Sequence, residues 1–250
     1  MPFFSIITVC YNAGNTIAPT LRSVNEQTFS DFEHLIQDGG SKDSTLDIVR
    51  KYGSPQQSVV SQRDNGLYYA MNDALERASG RYVVFLNAGD AFHSPDTLQQ
   101  VYEAITTSSV ENPGVAYGQT VLVNADRIIL GPRHLTAPDN LSFNSFANGM
   151  VVCHQAFFAR RDLAPLFNTS YRFSADYDWC IQILRKSPGN VYVDNTLIDY
   201  LHEGVTTANH KKSLRERFNI MCHYYGTIPT ALRHIRFLFR HLMRKTLSQK

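Results

Sequence analysis

Hydrophobic positions in the first hundred residues fall into short continuous runs that alternate with stretches of helical spacing. Phe3–Cys10 (FFSIITVC) is an apolar run of β-type residues, closed by the turn-forming YNAGN. Ile17, Leu21 and Val24 then recur at a spacing that predicts a helix over Thr16–Gln27. The alternation repeats. A strand at His34–Gln37 opens into DGGSKDST and a helix over Ser44–Lys51, with Asp47 three places after Ser44 as a capping-box-like start. A strand at Val59–Gln62 and the turn DNG lead to a helix over Leu67–Ala78, with Tyr68, Met71 and Leu75 on one stripe. Tyr82–Leu86 is a fourth strand, stopped by NAGD, and Ser94-Pro95-Asp96 launches a helix over Pro95–Thr106. Repeated β–α units with short connections imply an α/β fold, a doubly wound and mostly parallel sheet with helices on both faces.

The second half is more mixed. Val115–Val123 and Arg127–Leu130 flank Asn124-Ala125-Asp126, a hairpin signal. Residues 133–149 read as a long loop, His154–Ala159 as a strand, Asp176–Lys186 as a helix and Val191–Val193 as a short strand. Two helices are expected at the end, Lys211–Tyr225 and Pro229–Leu247. This divides the chain into a catalytic or binding domain over 1–210 and a helical extension over 211–250.

Composition narrows the class. With 43% hydrophobic and 18% charged residues among 250, the chain is neither disordered nor fibrous, and it is long enough to bury a core without a disulfide or metal staple. The four cysteines are far apart with no CxxC pair. The N-terminus has no signal-peptide pattern and no apolar run reaches spanning length, so a cytoplasmic protein is expected. The net charge of +2 conceals an asymmetry: from Lys211 onward ten Lys/Arg face one acid, Glu216, whereas the preceding residues carry 14 bases against 21 acids. An acidic body argues against nucleic acid as partner, and the basic end points to a partner of its own.

In an open α/β sheet, ligands bind at the carboxyl ends of the strands. Four successive strands end in polar clusters there, which places Asp38, Asp64 and Asp90 on one rim. Each alone reads as a turn or capping acid; three on one edge suit ring N–H and hydroxyl groups, which need acceptors, or a divalent metal, which needs hard oxygens. Both suit a nucleotide-sugar better than a bare anion. The first turn, CYNAGNT, has a single glycine and cannot form GxGxxG, and no GxxxxGK[ST] occurs.

The blocks SIITVCYNAGNTI, DGGSKDST, DNGLYYAMNDAL and GRYVVFLNAGD, in this order and spacing, resemble glycosyltransferase family 2, the inverting nucleotide-sugar enzymes of GT-A fold. Asn148-Gly149 before His154-Gln155, SADYDW at 174–179 and LHEGVTT at 201–207 are similar to the family's acceptor loop, base-bearing segment and C-terminal His, which extends the resemblance over about 3–207. Within the family the chain is most similar to short bacterial enzymes of surface and exopolysaccharide assembly.

The resemblance implies roles. Thr8 and Tyr11 line the base pocket, Asp38 accepts the uracil N–H, Asp64 closes the nucleoside side, and Asn87 offers an acceptor to a ribose or sugar hydroxyl. Asp90 is the metal ligand of a DxD-like motif and His202 completes the metal or diphosphate site, with Mg²⁺ or Mn²⁺ as cofactor. Asn148, Gly149, His154, Gln155 and Asp178 fall on the acceptor side, and Asp176 is the general base that takes the acceptor hydroxyl's proton. One departure is Asn87 where the family usually has Asp, which removes a negative charge from the metal loop. Trp179, Tyr171, Phe173 and Tyr177 suit either sugar stacking or core packing.

The implied activity is transfer of a sugar from a nucleotide donor, UDP by expectation, to a saccharide or lipid-linked saccharide hydroxyl. The alternative is a catalytically silent sugar-nucleotide-binding or scaffold protein of polysaccharide assembly. In the extension, Leu232, Ile235, Phe239 and Leu242 recur at helical spacing beside Arg233, Arg236, Arg240 and Arg244. A basic amphipathic helix over 229–247 suits an anionic membrane surface, hence peripheral attachment; docking on the domain or on a second copy is the other reading.

Overall fold

A computed structural model describes residues 1–202 and 210–235. Strands β1 (Phe4–Cys10), β2 (Phe32–Asp38), β3 (Gln57–Ser61) and β4 (Tyr82–Phe85) alternate with helices α1 (Ile17–Asn25), α2 (Thr45–Lys51) and α3 (Leu67–Arg77), as the hydrophobic pattern predicts. All seven residues of β1 are buried, the mark of a parallel strand covered on both faces. Phe4 and Ile6 enter one core with Val24, Tyr82, Leu98 and Phe158; Ile7 and Val9 enter the other with Met71, Phe85, Phe157 and Trp179. The period of two thus places one core on each side of the sheet.

The sheet runs β3-β2-β1-β4-β8-β6-β9-β5, with β7 (Ile129–Pro132) hairpinned onto β6 (Val115–Val123). Its first four strands are parallel; β8 (Phe157–Arg160) is antiparallel to both β4 and β6, and β9 (Asn190–Leu201) is parallel to β6. The order reverses between β1 and β4, so the crevice at their carboxyl ends is a topological switch point. The short β5 (Ala91–Phe92) closes the far edge against β9, and α4 (Thr97–Thr107) packs in the Phe4 core.

Four expectations shift. Asp47 makes no capping box for Ser44 and pairs instead with Arg50 at 2.6 Å. Arg127 is a turn residue at φ +64°, not the start of a strand; its guanidinium holds Gly89 O at 2.8 Å and Asp199 at 3.3 Å. His154–Ala156 is a 3-10 turn ahead of β8. The strand seen at Val191–Val193 extends over twelve residues, because register shifts against β6 let the turn-forming Asp194 and Asn195 stand out of the ladder.

Helix α5 (Ala175–Lys186) carries the fully buried Trp179, stacked on Phe167 at 5.0 Å and donating to Pro165 O. Tyr177 is equally buried, so both are core residues. Helix α6 (His210–Tyr225) packs on the same body. Ile220 and Met221 join the Trp179 core, Tyr225 donates to Phe143 O, and Glu216 accepts the N–H groups of Arg172 and Phe173. The first helix of the expected extension after 210 therefore packs on the domain and forms one of its walls. A further helix, α7, covers 227–235; the rest of the expected basic helix lies outside the described residues.

Candidate active site

The YNAG and DGGSKDST loops, after β1 and β2, hold each other. Asn12 N–H donates to Ser41 Oγ at 2.8 Å, Ala13 N–H to Thr45 Oγ1 at 2.8 Å, Gly14 N–H to Asp43 at 2.9 Å, and Asn12 accepts from Lys42 N–H at 3.0 Å. Asp38 is the organiser of this rim. Its oxygens accept from Gly40 N–H, Ser41 N–H, the Ser41 hydroxyl and the Ser61 hydroxyl. Burial alone would raise its carboxyl, but the Ser41 and Ser61 hydroxyls and the two backbone donors more than offset that and lower it. With these donors on a buried side chain, Asp38 holds the loop, and accepting a uracil N–H would exchange the Ser41 or Ser61 hydroxyl for it.

Thr8, expected in the base pocket, faces inward. Its side chain is buried and its hydroxyl lies between His34 Nε2 and Leu86 O, both at 2.9 Å, so it braces β1 beneath the crevice. The groups facing the crevice are Tyr11, 64% exposed, and Asp64. Gly39 lies between them: a Cβ there would stand 2.5 Å from Asp64 Oδ2 and 3.4 Å from Tyr11 Cδ2. Asp64 also accepts Gly66 N–H at 2.8 Å, which sets the start of α3.

Below this rim is a cavity of about 330 Å³ that gathers Tyr11, Asn87, Asp90, His154, Gln155, Asp176 and Arg217. Asp90, on the turn after β4, is 5% exposed; it accepts Leu201 N–H at 3.0 Å and Gln155 Nε2 at 2.8 Å. Burial pushes its carboxyl up to about 6, against the pull of those two hydrogen bonds. Gln155, expected on the acceptor side, therefore serves Asp90. Asn87 Nδ2 lies 3.2 Å from His154 Nε2, and Asn87 Oδ1 is buried with no partner. His154 Nδ1 reaches Asp176 Oδ2 at 3.1 Å, and Tyr68 donates to Asp176 Oδ1 at 3.1 Å. A continuous chain of contacts thus runs Asn87–His154–Asp176–Tyr68. Burial would raise Asp176, but the hydrogen bond from His154, the charge of Arg217 and the Tyr68 hydroxyl outweigh it, and Asp176 stays below the usual carboxylate range. Two buried carboxyls in one cavity are thus pushed in opposite directions by their different partners.

Four expected members are not brought together with these. Asp178, two residues along α5, turns away to accept from Tyr224 and Gln182, both at 2.8 Å. Asn148 and Gly149 end the 3-10 turn Phe143–Asn148, where Gly149 takes φ +104°, and line neither hollow described here. His202 is exposed at the end of β9 with its backbone N–H on Val123 O, so the strand directs Tyr200 and Leu201, not His202, into the cavity. Among the described residues no three His, Cys, Asp or Glu side chains converge on a metal position. The oxygens present still fit a hard dication that takes most of its ligands from a bound diphosphate: each Asp90 oxygen accepts one hydrogen bond and keeps a lone pair.

Arg217, which α6 brings to the cavity, escaped the sequence reading, as did Tyr68. Tyr68 shares a helical stripe with Met71 and Leu75, and only the fold reveals that its hydroxyl end meets Asp176.

The family model described as glycosyl transferase family 2 matches residues 5–166. A PGL/p-HBAD biosynthesis glycosyltransferase of Mycobacterium bovis is 33% identical over 187 residues, 72% of this chain and 69% of that protein. The putative teichuronic acid biosynthesis glycosyltransferase TuaG of Bacillus subtilis is 28% identical over 204 residues, covering 80% and 79%. Among solved structures, S. aureus TarS 1-349 in complex with UDP superposes with a TM-score of 0.70 at 18% identity, covering 96% of this chain and 72% of that one. The mannosyltransferase PcManGT from Pyrobaculum calidifontis, in complex with GDP-Man and Mn²⁺, gives 0.65 at 15% identity, covering 99% and 80%. The fold is accordingly GT-A.

Proposed function

Since the chain belongs to glycosyltransferase family 2 and is a transferase, we propose that it inverts the anomeric centre of a UDP-sugar on transfer to a saccharide or lipid-linked saccharide hydroxyl. The observation that carries this reading is the cavity with an ionised Asp176 facing the Asn87–Asp90 turn. S. aureus TarS 1-349, a structural neighbour solved in complex with UDP and with UDP-GlcNAc, supports the donor class.

In this reading the nucleoside lies against Tyr11, Gly39 and Asp64, and the free Asn87 Oδ1 accepts a hydroxyl of the donor. The acceptor oxygen attacks the anomeric carbon from the side opposite the diphosphate. Its bond to carbon forms as the carbon–oxygen bond to phosphate breaks, and the electron pair leaves with the diphosphate. The acceptor's proton passes to Asp176, which is ionised at neutral pH and held in place by Tyr68 and His154. Mg²⁺ or Mn²⁺, when bound, would be held by Asp90 and would neutralise charge on the leaving diphosphate. The test is nucleotide release from UDP-, GDP- and dTDP-sugars with Mn²⁺ and then EDTA, alongside calorimetric titration with UDP. Absence of both release and binding for every nucleotide would end the proposal.

Attachment to an anionic membrane surface belongs to the same reading. Helix α7 buries Thr230 and leaves Ile228, Leu232 and Ile235 exposed, which supports this reading. Among the described residues no helix is long and apolar enough to cross a membrane.

A further inference from the structure

Next to the catalytic cavity, and sharing Tyr11, Leu67, Tyr68, Arg172 and Phe173 with it, lies a groove of about 1000 Å³. The nucleoside position against Tyr11 and Asp64 uses one wall. The remaining wall comes from the loop before α5 and from α6, and contributes Tyr171, Arg172, Phe173 and Lys212. Asp64 is the one acid among the groove's lining residues. Arg172 lies over the Phe173 ring at 5.8 Å, and among the described residues neither Arg172 nor Lys212 forms an ion pair. Glu216, the acid beside them on α6, points its oxygens at the Arg172 and Phe173 backbone N–H groups, at 3.0 and 2.8 Å, and so fixes this wall. Arg217, one residue on, keeps a buried Nε with no partner at the Asp176 end of the cavity.

We propose that this wall receives an acceptor saccharide carrying carboxylate or phosphate groups, its rings on the aromatic faces of Tyr171 and Phe173 and its charge against Arg172 and Lys212. The inference rests on the transferase reading and names the acceptor class for it. A neutral glycan needs aromatic faces and hydroxyl partners but gains nothing from unpaired cations. Here cations occupy that wall although the residues before Lys211 carry a net excess of acid. Arg217 would meet charge nearest the reacting hydroxyl, where its unused donor lies.

The test titrates three probes into the full chain saturated with UDP: a glucuronate-containing disaccharide, a phosphorylated disaccharide and a neutral disaccharide of the same size, each followed by ligand-observed NMR. Two solvent-facing charge contacts correspond to about tenfold tighter binding of a charged probe, weakened by salt. Which charged probe gains identifies the carboxylate or the phosphate source. In Arg172→Gln/Lys212→Gln the preference is expected to vanish while UDP affinity stays within about twofold. Both side chains are surface groups, and thermal melts verify the fold. Equal binding of all three probes, or none, overturns the proposal; so does a loss of UDP affinity in the double variant, which would assign these cations to the donor. Failure of the wild type to bind UDP would instead defeat the underlying transferase reading.

Discussion

Asp90→Asn tests the electrostatics of the site most directly. Burial moves this carboxyl from 3.8 to about 6. Below 3.8 it is protonated in folded and unfolded chains alike, and folding loses nothing. As pH rises through 6 the folded chain must hold the charge that the unfolded chain has already accepted, so stability falls. At about 1.36 kcal/mol per unit the full cost approaches ~3 kcal/mol above pH 8. Between pH 5 and pH 8 it grows by about 1.4 kcal/mol, because at pH 5 part of it is already present. The asparagine variant has no such titration. Urea unfolding of both proteins without nucleotide should therefore show the variant gaining about 1.4 kcal/mol on the wild type from pH 5 to pH 8, or about 3–6 °C in melting temperature. Neighbouring titrations occur in both proteins and cancel in the difference. Added UDP and Mn²⁺ at pH 8 should raise the wild-type midpoint more than the variant's, because the variant keeps the nucleoside contacts and loses the metal carboxylate. A stability difference independent of pH would refute the claim that burial strains Asp90.

Asp176→Asn should keep UDP binding within about twofold and lower transfer by ~10²–10⁴, and near-normal turnover would remove Asp176 from the base role. Because Asp176 sits below the usual carboxylate range, the base should stay ionised between pH 8 and about pH 5, and any decline in a pH–rate profile from protonation of Asp90 should disappear at saturating Mn²⁺; a decline that persists at saturating Mn²⁺ would assign the proton to another group. Gly39→Ala places a Cβ 2.5 Å from Asp64 Oδ2, so UDP affinity by calorimetry should fall while the melting temperature changes little; unchanged affinity would detach Asp64 from the nucleoside. Trp179→Ala should cost about 3–5 kcal/mol in denaturant unfolding, since the ring is fully buried and stacked. Leu232→Glu/Ile235→Glu should abolish co-flotation with anionic vesicles, and retained flotation would show that α7 is not the contact.

The first four β–α units were legible because each strand is a continuous apolar run and each helix carries one stripe, two periods that local sequence displays directly. The crevice was legible for the same reason: the polar clusters end the strands. Side-chain direction at the rim was not. Asp38 and Thr8 sit at strand positions whose partners, Ser61 and His34, come from neighbouring strands, and only the register reveals that their acceptors are occupied. Strand β9 was cut short because Asp194 and Asn195 are turn-formers by type, and a bulge against β6 absorbs them. Asp176 and Asp178 differ by two residues, about 200° around a helix, so one had to leave the cavity; α6 settles which, through Tyr224 on Asp178.

The Asn87 departure also takes a physical meaning from the fold. His154 donates through Nδ1 to Asp176, which leaves Nε2 as an acceptor, and the Asn87 amide N–H₂ supplies the matching donor at 3.2 Å. A carboxylate at position 87 has no hydrogen to give, and would meet that lone pair with another or demand a proton on both ring nitrogens. The amide instead holds one tautomer of His154, and through it the orientation of Asp176, while its carbonyl oxygen stays buried without a partner. The charge lost from the Asp90 turn is thus coupled to the placement of the base across the cavity: donor-side residue, imidazole and base form one hydrogen-bonded unit, and a substitution at Asn87 should be felt at Asp176 before it is felt at Asp90.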